Sequence, residues 1–256
     1  MTIRDFKPAE ILNPFVKTYR IIESYDDLEN RVLPNTSLAV TFRIKGQNFY
    51  NTESGKYNLP SAAVSGLRKS VRLINYSKCT LSLIILFREC GAAAFFREPL
   101  HELFENSIAL DNIVKQSELS IIEERLSAAS DHSQIIKIAD QFLLGKLNGF
   151  KFDKLISAAI TKIHSTQGFL RMDELANNLF ISRDAFEKRF RKFVGTSPKQ
   201  FSSIVRMSSI AQQKPHERML DVALDAGYFD QAHFNKDFKN FTGQTPTDFF
   251  RSPSFW

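Results

Sequence analysis

Up to residue 90 the apolar residues of the chain come in short runs or alternate with polar ones, the period-two spacing of strands. Residues 17–22 read as one strand and residues 38–43, after the turn signal Pro34-Asn35, as another; residues 26–30 between them read as a polar turn or loop. Gly46 and Gly55 bracket a hairpin containing Phe49 and Tyr50, and two further strand-like runs follow at 71–76 and 81–87. The last is apolar on both faces, which predicts the central strand of a sheet covered on both sides. Beyond Gly91 the spacing becomes helical. Residues 92–96 and 100–104 are interrupted by Glu98-Pro99, where a helix ends or restarts. Residues 108–126 and 135–147 are amphipathic and are divided by the polar stretch 127–133.

Gly145 and Gly149 loosen the chain, and a domain boundary is placed near residue 149. Residues 152–163 then form a helix buried along Leu155, Ile156, Ala159, Ile160 and Ile163, and Gly168 ends the connection that follows it. From there the chain repeats itself. Phe186, Lys188, Phe190, Phe193, Gly195, Pro198 and Phe201 recur 48 residues later as Phe234, Lys236, Phe238, Phe241, Gly243, Pro246 and Phe249. The three leading phenylalanines of each copy share one helical face. Gly195 and Gly243 sit where a helix closes in the left-handed conformation, and Ser197-Pro198 and Thr245-Pro246 open new helices. Upstream, with a slip of one residue, Leu175-Ala176 matches Val222-Ala223. Short helix, turn, Ser or Asp cap and second amphipathic helix together read as helix-turn-helix. Residues 198–213, with Phe201, Ile204, Val205, Ser208 and Ala211 as the stripe, join the two units.

This double unit resembles the DNA-binding domain of the AraC/XylS bacterial transcription regulators, above all in Ala223, Gly227-Tyr228, Asp230, Phe234, Phe238, Gly243 and Pro246. The chain departs from that pattern at Gln212-Gln213-Lys214-Pro215-His216, where it is about two residues shorter. More loosely, residues 10–145 resemble a β-rich N-terminal domain fused to many such regulators, its biochemical role generally unassigned. The expected architecture is an α+β N-terminal domain over 1–149, a sheet followed by helices, and an all-α C-terminal domain over 150–256 with two helix-turn-helix units. The resemblance implies double-stranded DNA as partner. It leaves open a small-molecule effector, with a pocket inside the sheet opening near residues 60–67 or the Gly91 junction, or instead a homodimerisation or docking module built on 108–126 or 135–147. RNA polymerase is a further candidate partner.

Charge agrees with this. Of the net +6, residues 150–256 carry 16 Lys and Arg against 11 Asp and Glu, whereas 1–149 carry 18 against 17. A basic excess confined to a helix-turn-helix points to phosphate neutralisation. Rotating 100° per residue from the phenylalanine face of the first copy exposes Asp184, Glu187, Lys188 and Arg191. In the second it exposes Ala232, Asn235, Lys236 and Lys239, with His233 at the edge; Arg183 and Gln231 open the two helices. Asn235 and Gln231 suit adenine, Lys188, Lys236 and Arg183 guanine, and Glu187 the cytosine amino group, while Arg191 and Lys239 suit phosphates.

Other chemistries lack their constellations. The five histidines show no metal spacing, and P-loop, GxGxxG and GxSxG motifs are absent, so no catalytic residue, metal or cofactor is expected. Cys79 and Cys90 read as reduced, buried thiols. Neither a spanning run nor a signal-like N-terminus is present, from which a cytoplasmic location is expected.

Overall fold

The computed structural model describes residues 1–52, 55–147, 149–212, 224 and 227–251. It divides into two compact units: Met1–Asn30, Ser37–Gly66 and Leu73–Phe152 form one, and Arg31–Thr36, Leu67–Arg72 and Asp153–Trp256 the other.

The strands are β1 (Thr2–Phe6), β2 (Val16–Ser24), β3 (Leu28–Val32), β4 (Ala39–Lys45), β5 (Asn48–Thr52), β6 (Gly55–Asn58), β7 (Ala62–Ser65), β8 (Arg72–Tyr76), β9 (Thr80–Phe87) and β10 (Ser107–Ala109). They form a six-stranded sheet in the order β1-β2-β9-β4-β7-β10 and a four-stranded sheet in the order β3-β8-β5-β6. β9 lies between β2 and β4, the central position expected of its apolar run. Its two faces differ, however: Leu83, Ile85 and Phe87 are fully buried, while Leu81, Ile84 and Leu86 are half-buried. In register with the buried face, Tyr19 stands opposite Ile85 and Phe42 opposite Leu83, both also fully buried. Large side chains therefore fill the inner face of the sheet.

Several sequence readings need correction. Residues 26–30 are not only a loop, since β3 starts at Leu28; a short charged strand carries too weak an alternation to be read alone. Residues 92–96 and 100–104 hold only single 3-10 turns, Gly91–Ala94 and Leu100–Leu103. The helix expected from residue 108 begins eight residues later. Ile108 instead pairs opposite Val64 in the β10–β7 ladder, and α1 spans Gln116–Ser127. Pairing with a distant strand overrode local helical spacing. Cys79 is exposed, and only Cys90 is buried.

The second helix, α2 (His132–Lys146), is capped by Asp131, whose side chain accepts from the Gln134 N–H. It covers the inner face of the sheet. The Phe142 ring meets Phe42 edge-on at 5.8 Å, and Asp140 accepts from the Tyr19 hydroxyl at 2.7 Å and the Ala9 N–H at 3.1 Å. Burial and the Asp140 carboxylate together push the Tyr19 phenol well above its ordinary pKa.

The other unit is helical where described, apart from its contributions to β3 and β8: α3 (Lys154–Ser165), α4 (Met172–Asn178), α5 (Arg183–Val194), α6 (Pro198–Gln212), α7 (Gln231–Thr242) and α8 (Pro246–Arg251). The stripe of α6 runs through Phe201, Ser202, Ile204, Val205, Met207 and Ile210; Ser208 and Ala211, expected in it, are half-buried because Met207 and Ile210 face the core in their place. The Val222-Ala223 pair, the Gln213–His216 stretch and His216 lie outside the described residues.

Candidate nucleic-acid interface

Each copy of the repeat presents one long amphipathic helix by the same local devices. The Ser182 hydroxyl accepts from the Ala185 N–H at the start of α5, and the Asp230 carboxylate accepts from the His233 N–H at 2.7 Å at the start of α7. Both helices end on a left-handed glycine, Gly195 at φ 85° and Gly243 at φ 79°, whose N–H returns to the carbonyl of Arg191 or Lys239. Ser197 and Gln200 then cap the start of α6 reciprocally: the Gln200 N–H reaches the Ser197 hydroxyl, and the Gln200 amide oxygen accepts from the Ser197 N–H.

Aromatic packing fixes the buried sides. Phe186, Phe190 and Phe201 stack edge to face, as do Phe238 and Phe249. The repeats are unequal at one position. Phe241 is buried, but its counterpart Phe193 is only half-buried, because Val194 takes the core side and the Lys192 ammonium lies 5.5 Å from the Phe193 ring centre.

The outward sides carry the candidate contacts. Arg183, Asp184, Lys188, Gln231, His233, Lys236 and Lys239 are exposed, and Glu187, Arg191 and Asn235 half-buried. Their electrostatic states differ. The Arg191 guanidinium donates twice to one oxygen of Glu187, at 2.8 and 3.1 Å, and Arg183 donates to Asp173 at the start of α4 at 3.1 Å. Lys188, Lys236 and Lys239 have no ion-pair partner among the described residues. His233 lies 3.7 Å from Asp237, which also accepts from the Tyr228 hydroxyl at 3.1 Å.

Two further residues position this surface, of which Asp153 was not singled out from sequence and Tyr228 was. Asp153 accepts from the N–H groups of Leu155 and Ile156, capping α3, and also takes the Arg189 guanidinium, so one basic residue of α5 is committed to the scaffold. Burial raises the Asp153 pKa, but Arg189 and the two backbone donors outweigh it and hold the carboxyl below its ordinary value. The aspartate ahead of Lys154-Leu155-Ile156 was a legible cap signal. Tyr228 anchors the second copy beneath the Arg206 guanidinium, 5.2 Å from its ring centre, and burial first, then Asp237, push its phenol up to about 12.

The sheet unit carries an open groove of about 650 Å³ beside α1 and α2. Phe95, Val114, Ile122, Ile138 and Phe142 line its apolar part, and Arg97, Lys115, Glu118, Arg125 and Lys146 its polar part; Lys146 pairs with Glu118 at 2.5 Å.

Comparison with known proteins bears on both units. A family described as a helix-turn-helix domain matches residues 175–252, and a domain of unknown function, DUF6597, matches residues 4–109. An uncharacterized HTH-type transcriptional regulator of Haemophilus influenzae is 31% identical over 112 residues, which are 43% of this chain and 38% of that protein. The Msm operon regulatory protein of Streptococcus mutans is 34% identical over 90 residues, 34% of this chain and 32% of that protein. The chain thus spans less than two-fifths of these curated relatives. Among solved structures, ToxT from Vibrio cholerae aligns over 98% of both chains at 10% identity, with a TM-score of 0.43. Residues 175–252 are thus assigned to a helix-turn-helix domain family and residues 4–109 to DUF6597, each over less than half of the chain.

Proposed function

We propose that this chain is a sequence-specific transcription regulator in which residues 150–256 bind double-stranded DNA and residues 1–149 govern that binding. The observation that carries the reading is a pair of candidate recognition helices, α5 and α7, capped at the same position and anchored by matching phenylalanines at 186/234 and 190/238 but outwardly different. Arg183, Asp184, Glu187, Lys188 and Arg191 form one reading face, and Gln231, His233, Asn235, Lys236 and Lys239 the other. Helices joined through one rigid helix enter successive major grooves when about 34 Å, or ~10 base pairs, apart. One monomer therefore reads two unrelated half-sites.

Selection of bound sequences by the wild type and by Lys188→Ala and Lys236→Ala tests this. Each variant should relax preference in a different half-site, by about 1–3 kcal/mol per lost base contact. Loss at the same base positions in both would refute it.

Control by a small molecule is part of the proposal. The filled inner face of the sheet directs attention to the groove beside α1 and α2, where apolar walls and fixed charges converge. Self-association through the same helices is the competing reading, favoured by Ile121, 58% exposed on α1. No helix among the described residues is long and apolar enough to cross a membrane; a cytoplasmic location and contact with RNA polymerase belong to the proposal.

A further inference from the structure

Two phenylalanines of the helix-turn-helix unit are left almost wholly in water. Phe180 is 98% exposed and Phe229 95% exposed. Neither has a ring partner among the described residues, whereas Phe186, Phe190, Phe234 and Phe238 all do. Scattered apolar side chains on a surface need no explanation. These two are not scattered: they occupy the same joint of both repeats, Phe180 two residues before the Ser182 cap of α5 and Phe229 one residue before the Asp230 cap of α7. Phe180 also holds a φ of 53°, a conformation that asparagine or glycine adopts more readily. Neither core packing nor backbone preference accounts for a phenyl ring there.

Their position supplies a reason. The N-terminal end of a recognition helix reaches the base edges, so a side chain just ahead of the cap meets the groove wall. The groove offers an apolar ring the thymine 5-methyl group and the faces of the deoxyriboses. We propose that Phe180 and Phe229 are apolar DNA contacts, one for each half-site, that favour thymine beside the bases read by the polar residues of α5 and α7. This rests on the DNA-binding reading above and adds an uncharged component to it. The helix-turn-helix unit would thereby combine salt-dependent contacts from lysine and arginine with salt-independent contacts from phenylalanine.

The test uses the full chain on its selected duplex, with Phe180→Asn, which suits the left-handed backbone and removes the ring, and Phe229→Ala. Circular dichroism and thermal melting should be unchanged for both, since no buried contact is lost. Each variant should bind about tenfold more weakly, with the slope of affinity against salt unaltered because no charge is removed. Replacing thymine by uracil at the selected positions deletes only the methyl group. It should weaken the wild type by about threefold and leave the corresponding variant indifferent. If the folded variants bind as tightly as the wild type and respond equally to uracil, this proposal fails while DNA binding stands. If the wild type itself shows no salt-dependent DNA binding, the DNA reading fails and this one falls with it.

Discussion

Replacing Glu187 by glutamine should steepen the salt dependence of DNA binding, although it removes no cation. Five cationic side chains, Arg183, Lys188, Arg191, Lys236 and Lys239, lie on the outward faces of α5 and α7. If only the three lysines without partners neutralise phosphates, log affinity falls with log salt at a slope of about −2.7, roughly a fortyfold loss between ~50 and ~200 mM. If both arginines also reach phosphates, the slope is about −4.5 and the loss roughly five-hundredfold. The expected slope lies between these limits because Arg191 donates two hydrogen bonds to Glu187, a half-exposed pair that must be broken before DNA can take the guanidinium. Glu187→Gln weakens that hold and removes a negative charge from the proposed reading face. The slope should become steeper by up to ~0.9, with tighter binding at low salt. Fluorescence anisotropy of a labelled selected duplex across a salt series measures it, and Lys188→Ala, expected to flatten the slope by ~0.9, is the control. A slope unchanged or flatter in Glu187→Gln would refute the held-arginine argument. A wild-type slope shallower than about −1 would refute phosphate neutralisation by these helices altogether.

The scaffold beneath α5 makes a second prediction. Asp153→Ala loses a helix cap and an ion pair and should destabilise by about 1.5–2.5 kcal/mol, whereas Asp153→Asn keeps the cap and should lose only ~0.5–1 kcal/mol. Because the folded pKa of Asp153 lies below its ordinary 3.8, the advantage of wild type over Asp153→Asn is fully present well above pH 3.8. It should disappear as pH falls through the depressed folded value, and denaturant melts at graded pH would show this. If α1 and α2 form a contact between copies, Ile121→Glu should convert a sedimenting dimer to monomer at tens of micromolar; wild-type monomer under those conditions would leave the groove to an effector. A ligand of that groove at ~100 times its dissociation constant should raise stability by about 2.7 kcal/mol in thermal melts, and Arg125→Ala should reduce the shift.

What was legible in the sequence was what the chain decides locally. Caps at Ser182 and Asp230, left-handed glycines at 195 and 243, and the phenylalanine period define α5 and α7 without reference to anything distant. The central placement of β9 followed from its composition for the same reason. Features decided at long range were not legible. Ile108 becomes a strand residue because Val64 lies across from it, 44 positions away. Residues 62–65 form β7 although Ala62 and Ala63 carry little β preference, because β4 and β10 bracket them. The exposed face of α5 could be drawn by rotation alone, but that Arg189 spends its charge on Asp153 and Arg183 on Asp173 depends on where other helices bring their carboxylates.

The reciprocally capped helix α6 acts as a ruler. Its start is tied through Phe201 to the first copy, and near its other end Met207 and Arg206 meet Tyr228 of the second. One inserted residue between those anchors would advance the second recognition helix by about 1.5 Å and turn it by about 100°, presenting its lysines to a different part of the duplex. Deletions would turn it the other way. Length changes that preserve the facing come only near multiples of seven or eleven residues, and seven already lengthen the span by about 10 Å, some three base pairs. On the two-groove proposal, the spacing of the half-sites is therefore quantised by the pitch of an α-helix set against the pitch of DNA, and substitutions change which bases are read far more readily than length changes alter how far apart they are read.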